Sequence, residues 1–353
     1  MKRITLILII TALFSFESFA QDRVVTGTTS GGDFEKVGSA GAQFLKIPIG
    51  GRGVGMGGAF GSVTDDLSSI FWNPAGLSNI EDVSAYFSYT QWFAGYSHNF
   101  GALNLPLNDR FNVSLFAIGF SSPRIEETTV NQEDGTGAFY TVNDVSLGAA
   151  ISGKLTEQFT FGFVAKIVRN AFQTVDATGV AFDIGTQYDT GIYGIKFGFS
   201  IHNLGAEQRY EGNALNGPST SLNGSSSVGD GLGGSGIDVA IPAYPFSLPL
   251  IFRAGVSSMI LDGDDHDFLV SADFITMSDS PEQLAMGLEY TFRDFISFRG
   301  GYYYGNDQLS FSGGIGVNYI SELFNGEVEY AISPTADLGL INRINIIVDF
   351  NDW

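Results

Sequence analysis

The chain has 353 residues, a net charge of −21 and no cysteine. The charge argues against a nucleic-acid partner, whose phosphates would repel it, and the missing thiols exclude a disulfide scaffold and a thiolate metal site. A hydrophobic fraction of 44% with 31 Phe, 14 Tyr and 46 Gly is unusual for a soluble domain, yet nothing beyond the first twenty residues approaches the length of an apolar membrane helix.

Residues 1–20, MKRITLILIITALFSFESFA, carry cations at Lys2 and Arg3, an apolar run from Ile4 to Phe14, and Ser18-Phe19-Ala20 before Gln21. This is the layout of a secretory signal with cleavage expected after Ala20, and the run is too short to persist as an anchor. Residues 21–40 read as a flexible lead-in.

The next stretch, GRGVGMGGAFGSVTDDLSSIFWNPAG, contains Gly53-Val54-Gly55-Met56-Gly57-Gly58, which satisfies G-x-G-x-x-G. A dinucleotide loop must follow a buried strand and open the helix of a βαβ unit. Here Ile47-Pro48-Ile49-Gly50 precedes it and no βαβ pattern follows, so no cofactor is expected. The glycines are read instead as letting backbone pack in a confined space or take positive φ. Thr64 or Asp65 is expected to cap a short helix whose Leu67, Ile70 and Phe71 share one face. Asn73-Pro74-Ala75-Gly76, directly after Trp72, is expected to end it. The adjacent Asp65 and Asp66 read as helix-start carboxylates rather than an acid/base pair.

From residue 81 onward the pattern has period two. Leu284, Met286, Leu288, Tyr290 and Phe292 share one face, with Ala285, Gly287, Glu289 and Thr291 on the other. The split recurs for Val145, Leu147, Ala149 and Ile151, for Tyr193 through Ile201, and for Leu309, Phe311, Ile315 and Val317. Only a strand separates side chains in this way. The second face holds Gly, Ser and isolated charges: Lys166, Asp183, Arg253, Asp273, Glu289, Arg299 and Arg343. A charge facing hydrocarbon at mid-depth costs about 2 to 4 kcal/mol, so the large apolar face is assigned to lipid and the small polar face, charges included, to a lumen.

Candidate strands begin near Asp82, Gly95, Phe111, Asp144, Phe159, Gly179, Gly191, Phe246, Asp267, Gln283, Phe295, Gln308, Leu323 and Leu338. That makes about fourteen, an even number suited to an all-β, transmembrane antiparallel β-barrel. Tight turns are expected at 107–110, 154–157 and 262–265, and long loops at 121–142 and 203–245. With periplasmic termini the long loops fall outside the cell. A barrel of this size needs its lumen filled, which makes residues 41–80 an expected partly helical plug ahead of a barrel over 81–353. Export and strand pattern together imply the outer membrane of a Gram-negative bacterium, with its lipid as solvent.

Other constellations carry less. Asp262-Gly263-Asp264-Asp265-His266-Asp267 lacks the D-x-[DN]-x-[DN]-G spacing of a calcium loop and reads as a solvated turn. Residues 216–236, rich in Gly and Ser, read as a flexible extracellular loop, and Trp92-Phe93 as part of an interfacial aromatic girdle. His98, His202 and His266 are far apart and none lies in a nucleophile motif, so no catalytic set is expected. The final strand, INRINIIVDFNDW, alternates and ends on the aromatic Trp353, as barrels do that present a terminal insertion signal.

The stretch AQFLKIPIGGRGVGMGGAFGSVTDDLSSIFWNPAGLS resembles the N-terminal signature of PorV/PorQ family proteins, themselves similar to FadL-type channels whose luminal hatch carries a comparable Asn-Pro-Ala element. Gly58 and Gly76 stand where the PorV pattern favours an acidic residue and a lysine, the mark of a generic family member. The resemblance implies a fourteen-stranded outer-membrane barrel with an N-terminal hatch. It further implies an accessory of type IX secretion, receiving cargo proteins through their C-terminal sorting domains beside a large translocon barrel. The alternative is a FadL-like channel for small hydrophobic compounds.

Overall fold

The computed structural model describes residues 39–212, 215–217, 239–240, 243–306, 308–321 and 323–350. The expected signal (1–20), nearly all of the lead-in, most of the Gly/Ser-rich loop and Trp353 lie outside the described residues.

Fourteen long strands follow the N-terminal segment. They are β1 (Val83–Gln91), β2 (Ser97–Asn108), β3 (Phe111–Ser121), β4 (Val142–Lys154), β5 (Phe159–Phe172), β6 (Val175–Asp189) and β7 (Lys196–Gly205), then β8 (Ile251–Leu261), β9 (His266–Met277), β10 (Ser280–Phe292), β11 (Ile296–Tyr304), β12 (Phe311–Ile320), β13 (Phe324–Pro334) and β14 (Leu340–Phe350). Every strand pairs antiparallel with its sequence neighbours, and β1 pairs with β14 from Val83↔Phe350 to Gln91↔Asn342, which closes the barrel. Closure leaves no unpaired edge, the condition for a sheet to sit in lipid.

The alternation sets the two faces. On β10, Leu288 is exposed while Ala285 and Glu289 are buried; on β14, Ile344 and Ile346 point out while Arg343, Asn345 and Ile347 point in. At the end that holds both ends of the barrel chain every connection between strands is short. There Asn108 Oδ1 accepts from the backbone N–H groups of Arg110 (2.9 Å) and Phe111 (3.1 Å), and Thr156 Oγ1 accepts from Gln158 and Phe159, turning the chain within a few residues. The long connections, 121–142 and 205–251, lie at the opposite end.

Three expectations change. Tyr193 is not on a strand: it sits in the β6–β7 turn with φ +53°, and β7 begins at Lys196. Leu309 precedes β12 and bridges to Thr335 instead of joining the lipid face. The inward face is also not uniformly small and polar. Tyr86, Phe100, Phe116, Ile118, Val164 and Val168 from β1–β5 point inward and form one buried cluster with Phe44, Leu45, Ile47, Ile49, Leu67 and Ile70 of the N-terminal segment. Trp92, expected in the girdle, is half-buried and packs on this cluster. Apolar side chains point inward here because protein, not water, meets them.

Candidate functional site in the barrel lumen

The described part of the N-terminal segment lies against the inward faces of the strands. It runs through four short helical turns, Gln43–Lys46, Gly51–Gly55, Ser69–Trp72 and Pro74–Asn79. Wall and segment meet backbone to backbone, and glycine on both sides makes that approach possible. A Cβ on Gly301 of β11 would overlap Met56 and Gly57, and one on Gly287 of β10 would overlap Met56. On the far wall, a Cβ on Gly162 of β5 would strike Pro74, one on Gly185 of β6 would strike Asn73, and one on Gly198 of β7 would strike Gly61. Within the segment, Gly53 lies under the Trp72 indole, Gly55 beside Gly314, and Gly76 against Thr64. Gly57 and Gly58 take φ of +67° and +82°, which an L side chain resists.

The Asn73-Pro74-Ala75-Gly76 element is buried. Asn73 Nδ2 donates to the carbonyls of Gly61 (2.7 Å) and Thr186 on β6 (3.1 Å), while its Oδ1 accepts from Ala75 N (3.1 Å). Trp72 Nε1 donates to Ile49 O at 2.8 Å. The capping expectation is corrected: the helical turn starts at Ser69, and Ser68 caps it without a side-chain bond. Asp66 Oδ1 instead accepts from Ser68 N at 2.6 Å, and Asp65 Oδ1 accepts from Arg52 Nη1 at 2.6 Å. Thr64 Oγ1 takes Gln187 Nε2 of β6 at 2.6 Å. The three side chains tie turns and wall together because the chain is still bending where the helix was expected to begin.

The seven inward charges are all buried. Lys166 Nζ lies 2.7 Å from Asp183 Oδ2, and Asp183 Oδ1 accepts from Asn203 N (2.7 Å) where the β6–β7 register shifts between Phe182 and Ile184. Arg253 Nη1 donates to Asp273 Oδ2 (3.1 Å) and to Gly58 O (2.8 Å), and Asp273 Oδ2 also accepts from Gly61 N (2.8 Å). Arg299 Nε donates to Glu289 Oε2 at 2.6 Å and Nη2 to Glu327 Oε1 at 3.1 Å, with Nη1 on Glu329. Arg343 stands apart, its Nε donating to Thr90 Oγ1 at 2.9 Å. Charges withdrawn from water need such partners, since an unpaired one costs several kcal/mol, on the order of 3 to 5.

Sequence reasoning missed Arg52, Glu327 and Glu329. Both acids share the inward parity of Ala331 on β13, so the same two-residue rule reaches them. It also missed Ser200 and His202. His202 Nε2 lies 2.9 Å from Ser200 Oγ and 3.2 Å from Trp72 O, and Nδ1 lies 3.7 Å from Asp183 Oδ2. Residue types familiar from hydrolases thus meet, but Ser200 Oγ donates to Trp72 O at 3.1 Å and Asp183 is taken up by Lys166. The group ties the segment to β7 through that hydroxyl. At the Asp262–Asp267 turn, Asp265 pairs with Arg293 at 2.7 Å and Asp267 accepts from Gly263 N.

On the long-loop side of the segment is a cavity of about 170 Å³. Its lining includes the apolar Val54, Phe71, Trp72, Ile251, Met277 and Leu309 and the polar Lys46, Arg253, Gln283 and Tyr303. On the side of the short turns, an acidic recess is bordered by Asp65, Asp66, Glu81, Asp82, Glu327 and Asp349.

Solved structures share the architecture. A Pseudomonas aeruginosa FadL homologue superposes with TM-score 0.55 at 16% identity, over 86% of this chain and 98% of that one. The Pseudomonas putida toluene transporter TodX gives 0.54 at 12%, over 85% and 96%, and the Ralstonia pickettii toluene transporter TbuX 0.51 at 12%, over 86% and 98%. At such identity the likeness shows the FadL-like barrel fold. No family model and no curated protein matches the sequence.

Proposed function

We propose that this chain is an outer-membrane channel for uptake of small hydrophobic compounds, with residues 41–80 acting as the plug past which the compound moves. The observation that carries this reading is the largely apolar cavity between the segment and β8–β12, with Trp72 in its wall. Lumen sites of this kind are concave, mostly apolar and oriented by a few polar groups. The neighbouring folds include toluene transporters, which supports uptake over the secretion role that the N-terminal signature suggested.

Trp72 makes the test direct. In a Trp92→Phe/Trp353→Phe background, which leaves Trp72 as the single tryptophan of the three in the sequence, purified barrel titrated with toluene and with aliphatic hydrocarbons is expected to show saturable change in Trp72 emission. No saturable response, together with co-purification of a much larger barrel or of secreted proteins, would transfer the protein to the secretion role.

A further inference from the structure

We infer that the cavity selects a neutral single-ring compound that carries a hydroxyl, its ring against Phe71 and Trp72 and its hydroxyl on Ser310 and Ser333. The proposal rests on the uptake reading above and narrows its substrate class. Size comes first. An apolar cavity of about 150 Å³ holds one benzene, so a space of about 170 Å³ takes one ring with a small substituent and excludes a long acyl chain.

Charge comes next. Among the described residues, the charges on the lining are Lys46 and Arg253, and each is already matched. Lys46 Nζ lies 3.0 Å from Asp279 Oδ2, and Arg253 Nη1 lies 3.1 Å from Asp273 Oδ2. An ionised ligand would give up its hydration and meet no unmatched counter-charge, a cost that a neutral ligand escapes. The polar groups left over are neutral. Ser333, at the long-loop end of β13, borders the cavity and is 6% exposed. Its hydroxyl has no hydrogen-bond partner among the described residues, yet it stays open to solvent. Ser310, half-buried just ahead of β12, also borders the cavity with a hydroxyl in the same condition. Gly313 pairs with Ile332 and Leu309 bridges to Thr335, so both serines lie on one stretch of wall. Beside them Tyr303 OH donates to Gln283 Oε1, which leaves the phenol oxygen as an acceptor. Water reaches these hydroxyls in the empty cavity. A hydrocarbon filling the space displaces that water and returns no hydrogen bond, whereas a ligand hydroxyl donates and accepts in its place. Sites that bond a polar group in this way reject the analogue that lacks it.

The test uses the full-length protein in detergent with three ligands of one ring each: p-cresol, toluene and benzoate, read by calorimetry at neutral pH. p-Cresol differs from toluene by one hydroxyl, which stays protonated there because a phenol titrates at about 10. It is expected to bind about fivefold more tightly than toluene, the increment of one neutral hydrogen bond, and more tightly than benzoate. In the double variant Ser310→Ala/Ser333→Ala the preference over toluene is expected to fall below about twofold, with toluene bound at least as well as before. A general disturbance of the fold would weaken both ligands and leave their ratio alone. Ser310→Ala by itself, in the connection ahead of β12, is expected to lower the same ratio and holds the test open if the double variant fails to fold. Equal or tighter binding of toluene, tightest binding of benzoate, or a preference that survives the double variant overturns the hydroxyl proposal and leaves hydrophobic uptake standing. Binding of none of the three overturns both.

Discussion

Arg52 grips Glu289 with both edges of its fork: Nε lies 2.8 Å from Oε2 and Nη2 2.8 Å from Oε1. One residue belongs to the N-terminal segment and the other to β10, so this bidentate pair joins segment to wall. Around it Arg299 holds Glu289, Glu327 and Glu329, and Arg52 N donates to Glu329 Oε2 at 3.1 Å. Four carboxylates, counting Asp65, thus share two guanidinium groups. Arg52→Met leaves Glu289, Glu327 and Glu329 to Arg299 alone and is expected to cost about 3 kcal/mol, measured as an earlier loss of the compact gel form in denaturant. Arg52→Lys is expected to restore little, because a single ammonium does not reproduce the fork.

Packing of segment on wall makes a paired prediction. Gly301→Ala places a Cβ where Met56 and Gly57 lie, and is expected to destabilise the folded barrel by about 1 to 3 kcal/mol or to displace the segment. Gly119→Ala, whose Cβ meets nothing within 4 Å, is expected to change stability by less than about 0.5 kcal/mol. Protease cleavage of residues 41–80 in folded barrels distinguishes displacement from global loss. Equal behaviour of the two variants would contradict the close approach.

Asp66 gives the segment a pH response. Burial, with Glu329 and Asp65 nearby, pushes its carboxyl from 3.8 up to about 7. Between those values the folded protein holds a proton that the unfolded chain has released. The contribution of this group is therefore fully present below about pH 4 and is lost as pH rises through about 7. Asp66→Asn keeps an Oδ1 acceptor for Ser68 N and removes the charge. Its unfolding midpoint is expected to match the wild type at pH 4 and exceed it at pH 8.

The cavity predicts a loss of binding without loss of fold. Leu309→Trp adds an indole to the lining of a space of about 170 Å³ and is expected to weaken single-ring ligands more than tenfold by calorimetry. The variant barrel is expected to retain its heat-modifiable mobility, since Leu309 lies outside the long strands. Undiminished binding would move the ligand away from this cavity.

Strand number and the approximate strand starts were legible in the sequence, and the alternation gave Lys166, Asp183, Arg253, Asp273, Glu289, Arg299 and Arg343 the parity of the small-residue face. Successive Cβ atoms on a strand point to opposite faces, so residue type at alternate positions reports the solvent on each side. That local rule extends to Glu327 and Glu329 as well. Where Leu309 and Tyr193 misled, the alternation had continued past the strand end into turns, where backbone torsion no longer ties parity to a face. The tertiary structure alone decided which inward groups meet. Lys166 pairs with Asp183, and Arg253 with Asp273, through the register between strands, while Glu289 meets Arg52 from more than 200 positions away. The same holds for the inward glycines: each strand's pattern marks them as small, but only the backbone of Met56, Gly57, Gly61 and Pro74 lying against them makes smallness a requirement. The cavity beside Arg253 likewise exists only because a closed wall and a folded segment leave about 170 Å³ between them, a volume no single stretch of chain encodes.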